Sequence, residues 1–473
     1  MLPSVTMRRN IDRAGDSGSL ATLPAALILA LVGAVAFRSS AQATVQAGTQ
    51  DASNNSQPIV IHLEEAIHRA EANEPTYASA KADSAAARLD RSIARAGLLP
   101  DAVYHNQALY TQPNGQQNQA GQGVGSQPSP RFIANNAVRE YASQGVINET
   151  ASLGQVAAVR RADAASALAS AELEISRRGL VATVTGLYFG LAAADHKLAI
   201  AERGEAEAAE FTKLTEEREA GREAAHADAV KAHLQQQQRE RDLSDARLAA
   251  EKARLELGVL LFPDPRIAYT IDVPESAPPL ASRAEVEQAA ADNNAELKSA
   301  LAAVRVSYAD VLAARAAYLP ALGLNYTYGI DAPQFAVNGP EGVRNLGYSA
   351  SVTVDIPVWD WFATEHKVKQ SEIRRDAAKV SLTATQRRVI ARLEESYAEA
   401  AGAREQLASL DASATTAAES LRLTKLRYTG GEATVLEVVD AQNSYISAQN
   451  SREDGRVRYE AALAELQTVT GTM

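Results

Sequence analysis

Leu322-Gly323-Leu324-Asn325-Tyr326-Thr327-Tyr328-Gly329-Ile330, followed by Leu346-Gly347-Tyr348-Ser349-Ala350-Ser351-Val352-Thr353-Val354-Asp355-Ile356-Pro357, decides how this chain folds. In both segments apolar residues alternate with small or polar ones. Period two with β-branched and aromatic residues predicts strands with one apolar face, and Pro357 ends the second.

Around these strands the pattern turns helical. Leu297, Leu301, Val304, Tyr308, Val311 and Tyr318 follow steps of four and three, interrupted only by Arg315. Leu180, Val184, Leu187, Leu191, Ala194, Leu198 and Ala201 do the same. A seven-residue repeat keeps one seam against a neighbouring helix, and these seams are rich in alanine. Helices are expected from Ser152 to about Glu219 and from Ala363 to about Arg427. Each would be about 100 Å long at 1.5 Å per residue, where globular helices average only ~11–12 residues.

The chain repeats itself. Glu65–Pro100 aligns without gaps on Glu285–Pro320, offset by 220, with 12 of 36 positions identical, including Asn73/Asn293, Asp90/Asp310, Arg95/Arg315 and Leu99-Pro100/Leu319-Pro320. A second alignment, offset by 209, pairs Gly221 with Gly430, Ala232 with Ala441 and Glu256-Leu257 with Glu465-Leu466. Each half reads helix, strand, loop, strand, long helix, turn, helix. In the first, a helix over Leu63–Leu98 is stopped by Pro100, Ala102–Tyr110 and Phe132–Ile147 are extended, and Thr111–Pro130, rich in Gln, Gly, Asn and Pro, is a loop. We expect residues 62–262 and 283–473 to be the two repeats, joined by a proline-rich connector at 263–282.

The N-terminus reads as an export signal. Arg8, Arg9 and Arg13 precede an apolar run from Leu23 to Phe37 and then Ala41-Gln42-Ala43. That places a signal peptide at 1–43 and an irregular polar segment at 44–61. The run is about 15 residues, short of the ~20 a spanning helix needs; retained, it would be an N-terminal anchor. No other segment is as apolar, so a membrane crossing by the mature chain requires a β-barrel.

The 473 residues carry a net charge of −11 and no cysteine. The acidic balance argues against nucleic acid, and thiolate metal sites and disulfides are impossible. His226 and His233 are seven apart, but no third ligand accompanies them, so they read as solvated and no metal is expected. No catalytic or phosphate-binding motif is present, so neither enzyme activity nor a cofactor is expected.

Four strands of about ten residues match the length that spans a bilayer, but four cannot close a barrel. Two copies give eight strands and an interior filled by side chains; three give twelve and room for a pore.

The stretch Tyr428-Thr429-Gly430-Gly431-Glu432-Ala433-Thr434-Val435-Leu436-Glu437-Val438-Val439-Asp440-Ala441-Gln442 resembles the Tyr-x-x-Gly turn and acid-Val-Leu-x-Ala-Gln helix start of the TolC-like outer-membrane efflux family. Ser351–Trp359 and Tyr318-Leu319-Pro320 are similar to that family's strand-to-helix and helix-to-strand junctions. The resemblance covers essentially the mature chain. It implies a mainly α fold with a β-barrel, in which a homotrimer forms a twelve-stranded barrel in outer-membrane lipid above a periplasmic tunnel of antiparallel coiled-coil helices. It further implies partners in a periplasmic adaptor and an inner-membrane pump, with loops 111–130 and 331–345 outside the cell and the turns at Gly221 and Gly430-Gly431 at the inner end. Small-molecule efflux, type I protein secretion and metal efflux all fit that architecture. A reading of another class is a soluble periplasmic coiled-coil adaptor, which would have no use for two amphipathic hairpins.

By the same resemblance Glu437 and Asp440 occupy acidic constriction positions. They are three apart on one helix face, and threefold symmetry would make them a ring of carboxylates selecting cations; alternatively they are acids favoured at a helix start by the dipole. Asp228 is the counterpart of Glu437, but Lys231 stands where Asp440 would be and no aromatic precedes Gly221. Tyr428, Gly430, Gly431, Ala433 and Gly221 are implied in adaptor docking, and both glycines of the pair are expected to use positive φ.

Overall fold

The computed structural model describes residues 59–110, 139–273, 278–339 and 342–472. All of them lie in the second of two units, Pro58–Met473. The signal segment, the Gln-rich loop and the expected strand start at Phe132 fall outside the described residues.

One order of elements occurs twice. The first pass is β1 (Ile59–Ile61), α1 (Leu63–Asn73), α2 (Pro75–Ala96), β2 (Asp101–Tyr110), β3 (Arg139–Ala151), α3 (Leu153–Ala220) and α4 (His226–Leu261). The second is β4 (Tyr269–Ile271), α5 (Arg283–Asn293), α6 (Ala295–Ala316), β5 (Ala321–Ala332), β6 (Leu346–Asp355), α7 (Ala363–Thr429) and α8 (Val435–Thr470). The helices α3 and α7 run for 68 and 67 residues, about 100 Å each. A capping box opens α3, Ser152 accepting from the Gln155 amide while the Gln155 side chain accepts from the Ser152 amide.

Three expectations need correction. The opening helix of each half is broken into two. Pro75 sits at the first position of α2 and the Glu74 side chain accepts from the Tyr77 amide. Asn294 does the same for α6, accepting from the Leu297 amide at 2.9 Å. Proline is favoured at the first helical position, where its missing N–H would be unpaired in any case, and would break a helix interior, so Pro75 marks the start of α2. Second, neither the segment 44–61 nor the connector 263–282 is wholly irregular. β1 and β4 pair in parallel, Ile59 with Tyr269 and Ile61 with Ile271. Tyr188 clamps this small sheet, its hydroxyl donating to the Ile61 carbonyl at 3.0 Å and the Asp272 carbonyl at 2.6 Å. Buried Leu257, Leu261 and Tyr269 complete that core.

Third, the seam of α6 is only in part the expected one. Val311 is buried and Leu297 and Val304 are half-buried, but Leu301, Tyr308 and, past the helix end, Tyr318 are exposed, while Ala295, Ala302, Ala309 and Ala316 are buried at strict steps of seven. In α3 the buried row Ala157, Ala164, Ala171, Arg178, Thr185 and Ala192 repeats the same step. These two helices pack together, and small side chains let their backbones approach closely. The expected leucine seam of α3 does hold at Leu180, Val184 and Leu191, which are buried.

The remaining strands form an antiparallel sheet ordered β2-β3-β5-β6. Tyr141 pairs with Ala332, Leu322 with Val354 and Ala102 with Ile147. The register collects Ala102, Tyr104, Ala108, Tyr141, Ile147, Leu322, Leu324, Tyr326, Tyr328, Ile330, Leu346, Tyr348, Val352 and Val354 on one, mainly apolar face, which also carries Asn106, Ser143 and Glu149. Tyr326 and Tyr348 stack there at 6.3 Å. The opposite, mainly polar face carries Asp101, His105, Gln107, Gln144, Asn148, Asn325, Thr327, Asp331, Ser349, Ser351, Thr353 and Asp355, joined by bonds such as Asn325 Nδ2 to Asn148 Oδ1 at 2.6 Å, together with Val103, Leu109 and Val146. Among the described residues, neither β2 nor β6 has a partner on its outer edge.

Candidate functional site

The two helix-to-helix tips are built alike. At the end of α7, Gly430 keeps a right-handed backbone with φ −76° and Gly431 turns left-handed with φ 81°. The Glu432 amide donates to the Arg427 carbonyl at 2.9 Å and the Gly431 amide to the Tyr428 carbonyl at 3.0 Å. This pair of bonds is the Schellman termination, which needs one left-handed residue just past the helix. Positive φ is therefore required at Gly431 and not, as expected, at both glycines. At the end of α3, Gly221 has φ −76° and the left-handed place falls to Arg222, with φ 64°. The Glu223 amide donates to the Arg218 carbonyl at 2.7 Å, the counterpart bond. A side-chained residue thus holds in the first half the strained conformation that glycine holds in the second.

The tips are tied together by a residue that sequence reasoning missed. Arg218 of α3 donates from Nη1 to the Tyr428 carbonyl at 2.7 Å, and its guanidinium lies 4.9 Å from the centre of the Tyr428 ring. Phe211 tilts against the same ring at 5.1 Å. Phe211, Ala232, Tyr428, Val435 and Val438 form a buried cluster, with Ala433 packed on it. Lys425 of α7 reaches Glu207 of α3 at 2.6 Å. Tyr428 and Ala433 are therefore packing residues of the tip, and Gly221, Gly430 and Gly431 shape its two turns.

The three acids are not gathered into one cluster. Glu437 is spoken for locally: Thr434 and Glu437 form the capping box of α8, and Arg427 Nη1 stands 3.4 Å from Glu437 Oε2. The helix-start reading of Glu437 is thus realised within the chain. Asp440, one turn on, is exposed and has no hydrogen bond or ion pair among the described residues. Asp228 lies half-buried in the first turn of α4, after an N-cap, Ala225, that has no side-chain cap. Histidines near the first tip each meet a carboxylate, His226 Nδ1 at 2.7 Å from Glu219 and His233 Nε2 at 2.6 Å from Glu216. No group of three metal-ligating side chains is found among the described residues.

Farther along α8, two buried carboxylates titrate oppositely. His196 Nδ1 lies 2.8 Å from Glu453, and this contact holds the Glu453 carboxyl below the usual range despite its burial. Burial pushes Glu460 upward, with Arg456 offsetting part of the effect.

Residues 286–472 match the family model described as Outer membrane efflux protein. Over 163 residues the chain is 26% identical to Outer membrane protein OprJ of Pseudomonas aeruginosa, a match spanning 34% of each protein. The chain thus covers about a third of that curated relative's length. Its fold is similar to the outer membrane protein VceC of Vibrio cholerae, with TM-score 0.71, 18% identity and coverage of 86% of this chain and 96% of that one. It is likewise similar to the CmeC outer membrane channel of Campylobacter jejuni, with TM-score 0.69, 16% identity and coverage of 86% and 85%. With the duplicated strand–helix order, the long helix pairs and these likenesses together, the chain has the fold of these outer membrane channels, and residues 286–472, in its second half, match the outer membrane efflux protein family.

Proposed function

We propose that three copies of this chain form an outer-membrane exit duct, a passive channel subunit and not an enzyme, in a tripartite efflux system for small or toxic solutes. One observation carries the reading: a four-stranded sheet with one mainly apolar face and, among the described residues, both edge strands unpaired. In lipid an open edge leaves backbone donors and acceptors without partners, at several kcal/mol each, so the edges must meet other edges. β6 of one copy against β2 of the next closes a ring, and three copies place twelve strands around a lumen wide enough to conduct. The polar face then lines the lumen and the Tyr- and Leu-rich face meets lipid. The helices continue the duct into the periplasm, where the tips at Gly221 and Gly430-Gly431 would meet a periplasmic adaptor and an inner-membrane pump.

The absence of cysteine makes the decisive experiment clean. Single cysteines at Val103 on β2 and at Ser349, Ser351 or Thr353 on β6 lie on one face of the sheet. Oxidising such pairs in membranes should yield covalent dimers and trimers for at least one pairing. Monomer alone in every pairing, or a processed protein that stays soluble without detergent, rejects the barrel.

At the tip, Asp440 is the better candidate for a pore carboxylate, because it is exposed and unpaired while Glu437 serves the helix cap. Glu437 and Asp228 would add to the local negative potential from beside it. Adaptor docking at Gly431, Ala433 and Gly221 predicts that bulky substitutions there abolish drug resistance while trimers still assemble; normal resistance would reject it.

A further inference from the structure

We infer that Lys231 is the counter-charge of Asp440: the two residues face one groove at the tip, and Lys231 offsets the cation preference that Asp440 gives the duct, so that anionic and zwitterionic solutes pass as well. This rests on the reading of Asp440 as a pore carboxylate. The helices α4 and α8 are each 36 residues long and start 209 positions apart, after the extended caps Ala225 and Thr434. Lys231 and Asp440 are each the sixth residue past the cap, and each lies two residues beyond a buried one, Ala229 and Val438. They stand at the same place on two equivalent helices, with opposite charge.

The groove between the helices brings the two charges together. Gln235 Nε2 of α4 donates to Asn443 Oδ1 of α8 at 2.8 Å, and the Arg239 guanidinium donates to the same oxygen. Farther from the tip, Asp242 and Ala246 of α4 and Ile446, Asn450 and Asp454 of α8 line one cavity. Residues three and four apart share a helix face. Lys231 therefore continues the row of Gln235, Arg239 and Asp242, and Asp440 continues that of Asn443, Ile446 and Asn450. Each stands one turn nearer the tip than the bonded pair Gln235 and Asn443, at the mouth of the same groove.

Both side chains are exposed, and neither has a hydrogen bond or ion pair among the described residues. Lysines that serve the packing of these helices are bonded to carboxylates, Lys197 to Asp454 and Lys425 to Glu207. Lys231 instead leaves its charge in the open, where it acts on passing ions. Asp228 and Glu437, at the third helical position, carry the same sign in both halves; one turn on, the halves oppose each other. Threefold repetition places one lysine and one aspartate in every third of the circle, so the signs alternate around the ring. A ring of carboxylates alone repels anions, and alternation removes most of that barrier.

The test measures the ion selectivity of the full chain reconstituted in planar bilayers, from the reversal potential across a potassium chloride gradient. Lys231→Gln should raise the potassium-to-chloride permeability ratio about twofold, the effect of one charge ~10 Å away in water. The rise should fade near 1 M salt, where the screening length is about 3 Å. Lys231→Arg keeps the charge and should match wild type. With glutamate in place of chloride, Lys231→Gln should lose anion permeability in the same way. A ratio that Lys231→Gln leaves unchanged while Asp440→Asn lowers it overturns the role of Lys231 and leaves the pore reading of Asp440 standing. A change that Lys231→Arg reproduces, or that persists at high salt, is structural and overturns it equally. A ratio that neither substitution moves overturns the pore reading of Asp440 itself.

Discussion

Arg218 and Tyr428, 210 residues apart in sequence, are clasped twice over: a 2.7 Å hydrogen bond to the tyrosine carbonyl and a guanidinium over its ring. A hydrogen bond from a charged donor contributes about 1.5–3 kcal/mol and a cation–π contact about 0.5–1. Arg218→Ala should therefore lower the apparent melting point of the detergent-solubilised protein and raise or destabilise its conductance in planar bilayers. Arg218→Lys should recover little, since an ammonium lacks the planar fork that bonds and stacks together. Tyr428→Phe should be nearly silent, because among the described residues the hydroxyl meets only Thr215, at 3.4 Å. Wild-type melting and conductance in Arg218→Ala would show that the clasp does not hold the tip.

The two turns make a matched pair of backbone tests. Gly430→Ala should be tolerated, since φ −76° suits any residue. Gly431→Ala forces a side chain into the left-handed region and should cost about 1 kcal/mol. Arg222→Gly at the equivalent place should gain a similar amount at most, because glycine also loosens the unfolded chain. Thermal melts of the three variants check the order; a Gly430→Ala as damaging as Gly431→Ala would contradict the assigned turn geometry.

The strands and long helices were legible in the sequence because they obey a period over many residues. Leu322 to Ile330 alternates strictly, and the structure sets Tyr326 beside Tyr348 on one face. The α6 seam misled for a physical reason. Leu301 and Tyr308 are conspicuous apolar residues at heptad steps, whereas the buried row, Val311 and Ser307 apart, is alanine, whose pattern is lost in a chain full of alanine. β1 and β4 span three residues each, too few to show any period. Of the candidate site, the turns and acids could be read from local motifs. Arg218 could not, because its partner comes from the other half of the chain and no local pattern points to it.

The acids of α8 should separate into a structural and an electrostatic role. Glu437→Gln preserves the capping box, since glutamine serves at the third helical position. Thr434→Ala removes the cap and should cost about 1 kcal/mol. Asp440→Asn touches no internal contact, so melting should be unchanged while cation preference in planar bilayers falls. Selectivity that moves with Glu437→Gln and not with Asp440→Asn would reverse the assignment.

Glu460 offers a test of pH dependence with a definite sign. It is 6% exposed, and burial raises its carboxyl above the ordinary range, with Arg456 compensating only in part. A carboxyl whose folded pKa lies above its unfolded one binds its proton more tightly when folded, so folding is penalised wherever the unfolded chain would ionise it. That penalty is complete above the raised pKa and vanishes below the unfolded value, about 4.3. Glu460→Gln keeps the shape and removes the charge. It should raise the melting point at neutral pH by on the order of a few degrees, and the advantage should shrink as the pH is lowered through the carboxylate range. Glu453 runs the other way. Its carboxyl is held low, chiefly by His196, so Glu453→Gln should be destabilising at neutral pH and lose that effect in acid. Melting curves of both variants across this range decide the matter, and a Glu460→Gln protein no more stable than wild type at neutral pH would show that its buried charge is better compensated than Arg456 alone allows.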